Sequence, residues 1–201
     1  GTTKRGIGPA YSDKASRIGL RWYKNRSVFG YYPDGKSFKK MDTDARRTML
    51  SQVGLLSGRL ELGTSFGSMK PEEQHDLTRL YPVLKGTQSF RPVDMLVEGR
   101  EDPSVYVYNI NPDWSQVILC PNHDRQHPVT APISGNQADT GSLGHDADAS
   151  YYLYDFWNDK FLGEWKGSQA ISQSLKSYQA LTYSLHRKKD HPQFLSTNRH
   201  I

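Results

Sequence analysis

The chain has a single cysteine, Cys120, in 201 residues, so no internal disulfide can form and a disulfide framework is excluded. That count leaves the compartment open. There is no apolar run near the ~18 residues of a membrane span, and the first residues lack the basic, apolar and small-residue succession of a signal peptide. No membrane partner is expected. The phosphate-loop pattern G-x-x-x-x-G-K-[ST] is missing, as are the glycine and glutamate that complete an EF-hand calcium loop. The sequence also opens on Gly1 without Met and stops at Asn198-Arg199-His200-Ile201 without a polar tail. On that count it is expected to be part of something longer.

Charged residues make up 23% and hydrophobic ones 35%, with 17 Gly, 11 Pro, 12 Tyr and 4 Trp, which describes a loop-rich, aromatic-rich chain able to bury a core. Lys and Arg number 26 against 21 Asp and Glu, a formal +5. These cations fall in short separated groups (Lys24 and Arg26; Lys36, Lys39 and Lys40; Arg187, Lys188 and Lys189). A nucleic-acid surface gathers its cations along one face, so a nucleic-acid partner is not favoured.

The stretch ASYYLYDFWNDKFLGEWKG, residues 149–167, organises the rest. Tyr151, Leu153, Asp155 and Trp157 alternate with Tyr152, Tyr154, Phe156 and Asn158, the period of a strand with two demanding faces. Asn158-Asp159-Lys160 supplies a polar turn and Phe161 to Trp165 a second apolar run, predicting a β-hairpin at the heart of a sheet. Trp157 and Trp165 are expected in its core.

Before it, the segment from Gly1 to Arg21 sets Thr2, Thr3, Lys4 and Arg5 in a glycine-rich loop, with Arg17 and Arg21 four residues apart on a following helix. Hydroxyls, backbone N–H groups and cations at a helix start suit a phosphate, but without a Walker-type loop the physics alone favours a basic loop before a surface helix. Trp22 to Phe38 reads as short strands turning at Pro33-Asp34-Gly35. Ala45, Met49, Val53, Leu56 and Leu60 then draw one apolar stripe on a helix, with Arg46, Arg47, Ser51 and Gln52 off it, a cap at Thr43 or Asp44, and ends offered at Gly58 or Gly63. Pro71-Glu72-Glu73 opens a second helix, which stops before Pro82. Strand patterns follow at 105–110, 115–120, 170–175 and 179–186, while 121–150 reads as a long loop. Helices before strands predict an α+β chain of two parts, 1–90 and 91–201.

Two clusters have ligand-like spacing. Cys120, His123 and His127 could be joined by His145 around a zinc ion, and Asp146-Ala147-Asp148 sits in a Gly-rich loop. Neither completes a recognised set, so no metal and no cofactor are assigned. Among the tryptophans, Trp114 in Asn-Pro-Asp-Trp-Ser is expected to be exposed and is a candidate platform for sugar stacking.

Tyr154-Asp155-Phe156-Trp157-Asn158, Lys160-Phe161-Leu162-Gly163 and the ending from His191 to Ile201 together resemble the C-terminal region of alpha-galactosidase-like glycoside hydrolases. Leu55-Leu56-Ser57-Gly58 resembles that family's barrel end, and Arg91-Pro92-Val93-Asp94 its junction between barrel and sandwich. The resemblance covers residues 17–201 and implies the end of a (β/α)8 barrel followed by an antiparallel β-sandwich. It implies carbohydrate as partner, together with the rest of the barrel upstream of Gly1. The two catalytic carboxyl groups that glycoside hydrolysis needs would lie in that upstream part, so none is named here. Asp34 stands where the family sets a Pro-Asp dipeptide near the sugar, although Tyr31-Tyr32 replace the polar residues expected before it, and the same aspartate suits a turn.

GTTKRGIGPAYSDKASRIGLR, residues 1–21, resembles instead the inosinate-binding segment of adenylosuccinate synthetase. Carried over, Thr3 and Arg17 would hold the nucleotide phosphate, with Arg5 and Arg21 in support. That family's GTP loop and catalytic His have no counterpart in this sequence. Three readings follow: a fragment of an alpha-galactosidase-like hydrolase, a fragment of a purine nucleotide ligase, and a non-catalytic sandwich that binds carbohydrate or protein.

Overall fold

Val105-Tyr106-Val107-Tyr108 alternates two kinds of side chain, and in the computed structural model both faces of that strand are buried. The structure describes residues 26–27, 30–31, 39–40, 42–55, 66–81, 91–95, 97, 103–120, 127–136, 141–177 and 179–197. Strands β1 (Arg26–Ser27), β2 (Gly30–Tyr31) and β3 (Lys39–Lys40) form a small antiparallel ribbon. Two α-helices follow among the described residues, α1 (Thr43–Leu55) and α2 (Pro71–Thr78). The strands β4 (Arg91–Pro92), β5 (Val105–Asn111), β6 (Trp114–Leu119), β8 (Ser150–Asp155), β9 (Lys160–Lys166) and β11 (Leu181–Arg187) make one antiparallel sheet in the order β4-β5-β6-β11-β8-β9. A separate antiparallel pair, β7 (His127–Pro132) with β10 (Ala170–Leu175), lies across one face of it.

The sheet is therefore a middle layer. Toward β7 and β10 it presents Val105, Val107, Val117, Leu119, Leu153 and Leu185, which pack on Val129, Ala131, Ile133, Ile171 and Leu175. Toward the helices it presents Tyr106, Tyr108, Ile118 and Cys120, which pack with Phe156, Trp157, Met49, Leu50, Leu77 and Leu80. Mostly antiparallel sheet with helices at one side agrees with the sandwich part of the predicted α+β fold. No barrel is seen among the described residues.

The hairpin β8–β9 is at an edge of the sheet, and β6 and β11 occupy its centre. Strand β8 ends at Asp155, so Trp157 belongs to the turn 156–159 and not to the strand. It is nonetheless buried, 5% exposed, because the turn folds its indole under α1, where Nε1 donates to Ser51 Oγ at 2.7 Å. Strand β7 lies inside the segment expected to be loop. Its Pro128 and Pro132 hid it, and prolines are tolerated there because among the described strands β7 pairs with β10 alone, which leaves its other edge needing few donors.

Helix α1 differs from its reading in two ways. Its cap is Asp42, whose Oδ1 accepts from Ala45 N at 2.7 Å, one or two residues before the caps proposed from sequence. Its polar side is buried as well: Arg46, Ser51 and Gln52 are all enclosed. Burial of such groups is tolerated only with partners, and each has one. Ser51 Oγ lies 2.7 Å from Thr182 Oγ1, Gln52 Nε2 donates to Cys120 Sγ at 3.4 Å, and Thr48 Oγ1 accepts from Ala180 N at 2.7 Å. Arg46 and Arg47 both clasp the Asp76 carboxylate of α2, at 2.8 and 3.1 Å. Leu56, Leu60, Gly58 and Gly63 lie outside the described residues.

Helix α2 opens as predicted, with Pro71 at its start and Glu73 Oε2 accepting from Lys70 N at 2.9 Å. Just beyond its end, Arg79 is buried against the hairpin turn, donating to Phe156 O at 2.6 Å, pairing with Asp159 at 2.7 Å and lying 4.2 Å from the Phe156 ring centre. At the junction, the buried Asp94 carboxylate accepts from Ser104 N and Val105 N, which ties the entry of β5 to β4.

Candidate functional site

The antiparallel register of β6 and β11 sets Trp114 opposite His186 and Gln116 opposite Ser184. Residues two apart on a strand share a face, so Ser184 and His186 both meet the Trp114 side chain. The indole and imidazole stack with centroids 5.1 Å apart and planes 18° from parallel. Trp114 Nε1 donates to Ser184 Oγ at 2.7 Å, and Ser184 Oγ lies 2.8 Å from His186 Nε2. His186 also bonds the backbone of Leu195, and burial holds its pKa down to about 4, so the imidazole is neutral near pH 7.

After β11 the chain turns back across this face. Gln193 fixes the return: its Oε1 accepts from Lys189 N at 2.8 Å and its Nε2 donates to Arg187 O at 3.0 Å. Between the returning segment 191–197 and the sheet lies a cavity of about 450 Å³, walled by Trp114, Phe156, Phe194 and Leu195. At its rim the turn between β5 and β6 contributes Asn111 and Asp113, and Lys189 Nζ pairs with Asp113 Oδ2 at 3.0 Å. An apolar hollow with a few convergent polar groups is the ordinary form of a small-molecule site.

Among the described residues Trp114 is thus the candidate site residue from the sequence that lines a cavity, and it is half-buried where the sequence predicted exposure. Asp34 and the phosphate candidates Thr3, Arg5, Arg17 and Arg21 lie outside the described residues. So does His123. Cys120 is buried on the helix side, its thiol pushed up to about 12 by burial despite the Gln52 hydrogen bond. His145 sits by Tyr151 on the opposite face, ring centres 5.3 Å apart, with burial first and then Arg91 lowering its pKa to about 4. The Asp146 carboxylate is taken by Arg187 at 3.0 Å and by the Asp148 N–H at 3.0 Å. No group of three or more His, Cys, Asp and Glu has metal-binding geometry among the described residues.

The sequence offers no site role for Ser184 and His186, while Lys189 enters it only as one of a group of cations and Gln193 only within the ending that carries the hydrolase resemblance. The signal existed for two of them: in Leu181–Arg187 every second residue, Thr182, Ser184 and His186, is polar on one face of a buried strand.

The fold is shared with solved glycosidases of the GH27 and alpha-galactosidase type. The GH27 β-L-arabinopyranosidase of Geobacillus stearothermophilus matches 80% of this chain with a TM-score of 0.60 at 15% identity, over 34% of its own length. Alpha-galactosidase I of Mortierella vinacea matches 72% at 0.56 and 17% identity, over 36% of its length. The alpha-galactosidase of Saccharomyces cerevisiae, solved with raffinose, matches 75% at 0.54 and 10% identity, over 45% of its length. The chain therefore spans between a third and a half of these enzymes. A different likeness is confined to 43 residues, 54% identical to the adenylosuccinate synthetase of Thermosipho africanus and covering 20% of this chain and 10% of that protein. No protein-family profile matches the chain.

Proposed function

We propose that the chain is the C-terminal part of an alpha-galactosidase-like glycoside hydrolase, residues 1–90 forming the end of its catalytic barrel and 91–201 the β-sandwich packed on it. The observation that carries this is the extent of the shared fold, 72–80% of this chain against about a third of the bacterial and Mortierella enzymes. The helix side of the sheet supports it too. Helices α1 and α2 dock there through Ser51–Thr182, Trp157–Ser51 and Arg79–Asp159, a join suited to fixing one layer on another. In this reading the acid and the nucleophile or base, set about 5 to 9.5 Å apart across the bond, belong to barrel strands upstream of Gly1. Asp34 then lies near the bound sugar. The substrate is an α-galactoside. A β-L-arabinopyranoside has the same ring hydroxyl arrangement without the hydroxymethyl group, so the two substrates of the matched enzymes define one stereochemical class.

The test is release of nitrophenol from p-nitrophenyl α-galactoside by the 201-residue chain and by the full open reading frame that contains it. Turnover by the longer protein alone is expected. Turnover by the 201 residues alone would locate both carboxyl groups within them and overturn the proposal.

The 43-residue likeness to adenylosuccinate synthetase favours a second reading, in which Thr3, Arg5 and Arg17 hold the phosphate of inosinate. It requires inosinate binding that Arg17→Ala weakens by ~1.5–3 kcal/mol, the strength of a hydrogen bond to a charged group. Calorimetry on the isolated chain is expected to show no heat of binding, and Arg17-dependent binding would put this reading first.

A further inference from the structure

We propose that the cavity between Trp114, His186 and the returning segment 191–197 binds a neutral pyranose, making the sandwich a carbohydrate-binding unit in its own right. The choice of sugar stereochemistry rests on the hydrolase reading above; the site itself rests on its walls.

A cavity of about 450 Å³ is within the range of small-molecule sites and has room for a six-membered ring. The rim ion pair Lys189–Asp113 neutralises itself, and the buried His186 carries no charge near pH 7, while His191, the other histidine of the lining, is bonded to Pro192 O. An anionic or cationic ligand gains no unpaired counter-charge from the ion pair or from His186. The floor decides the rest. Trp114 Nε1, Ser184 Oγ and His186 Nε2 satisfy one another, and His186 has a further bond to Leu195, so the floor meets a ligand mainly with ring faces and carbon. Polar side chains are found at the mouth, where Asn111 and Ser196 line the cavity.

A ligand for such a site needs one apolar face and a polar perimeter, without net charge. A pyranose has that form, its axial C–H bonds clustered on one face and its hydroxyls around the edge, and aromatic rings are its usual support because C–H groups carry partial positive charge toward the π face. The platform is fixed before binding: stacking on His186 and the bond to Ser184 hold the indole in one orientation, so little order is lost when a ring settles on it.

The experiment is an NMR titration of the 201-residue chain with methyl α-galactopyranoside, L-arabinose and galacturonate, the last adding one negative charge to the same ring. The two neutral sugars are expected to saturate in the millimolar range and galacturonate to bind about tenfold more weakly. Trp114→Ala should abolish binding. Phe194, 84% exposed, can be removed without touching the core, and Phe194→Ala should weaken binding severalfold at an unchanged melting temperature. Absence of saturable binding, equal affinity in both variants, or preference for galacturonate would each overturn the proposal. None of these results bears on hydrolysis by the longer protein, so this proposal and the hydrolase reading fail separately.

Discussion

The two faces of the six-stranded sheet are held by different chemistry. On the β7–β10 side the contacts are mainly aliphatic, Val, Leu, Ile and Ala from both layers, and such contacts tolerate small shifts because dispersion has no preferred direction. On the helix side, aromatic packing is threaded with directional bonds: Ser51 to Thr182, Trp157 to Ser51, Thr48 to Ala180, Arg79 to Phe156. Buried polar groups of this kind add little net stability, yet each one left without its partner is costly. The apolar face is a cover that the sandwich supplies for itself. The other face is a keyed joint that accepts its helices in one position.

The comparison is tested most severely at Trp157. Trp157→Ala removes a buried indole together with its bond to Ser51 Oγ, and is expected to cost ~3–5 kcal/mol, whereas Trp114→Ala, at a half-buried position, should cost far less. Paired denaturant melts decide it, and a smaller loss at Trp157 would mean that the hairpin turn is not part of the joint. Next in size is Ser51→Ala, which strands Trp157 Nε1 and Thr182 Oγ1 together and should cost about 1–3 kcal/mol. The counterpart on the aliphatic face, Ile171→Val, deletes one methyl group at about 0.5–1.5 kcal/mol. If the Ile171 change proves the more damaging, the contrast between the faces is wrong.

A smaller effect follows from pH. His186 has a folded pKa of about 4 against a usual 6.5, so below about 6.5 the unfolded chain takes up a proton that the folded one refuses. Stability should therefore fall as pH drops from about 6.5 toward 4 and gain nothing from this group above that window. Melting temperatures of His186→Gln should show a shallower slope across the same interval, although His145, with a similarly lowered pKa, will keep part of the fall. Smallest of all, Cys120 should resist maleimide at pH 8 until the protein unfolds, since its thiol is buried and its pKa is pushed up to about 12.

Much of the strand plan was legible in the sequence, because Val-Tyr-Val-Tyr is a run of β-branched and aromatic residues and Val-Ile-Leu a short apolar run, each bounded by polar or turn residues. Helix α2 was legible from Pro71 and Glu73, whose roles are local. What escaped depended on partners distant in sequence. Nothing near Ser51 or Gln52 announces Thr182 or Cys120, so the polar side of α1 looked like a solvent face. Strand β7 was masked by prolines acceptable only in a strand paired on one side. Trp157 was correctly expected to be buried but assigned to the strand, since alternation continues by accident for two residues past Asp155. Of the site, Trp114 was found from its composition-rich turn, while Ser184 and His186 become partners only through the register of β6 with β11. The phosphate candidates and Asp34 lie outside the described residues and stay with the proposals that use them.

The outer edge of β9 has a consequence for how copies of the protein meet. Among the described strands β9 terminates the sheet, so its outward N–H and C=O groups are the kind that another chain can pair with. If two copies joined antiparallel through this strand and centred on Gly163, Lys160 of one would stand across from Lys166 of the other, at both ends of the seam. The register also slips opposite Leu153 and Tyr154, and Gly163 has φ of 99°, which bends the edge out of the straight line that a growing ribbon requires. Like charge and curvature together make this edge a poor template for fibre growth, even though Phe161 stands open upon it.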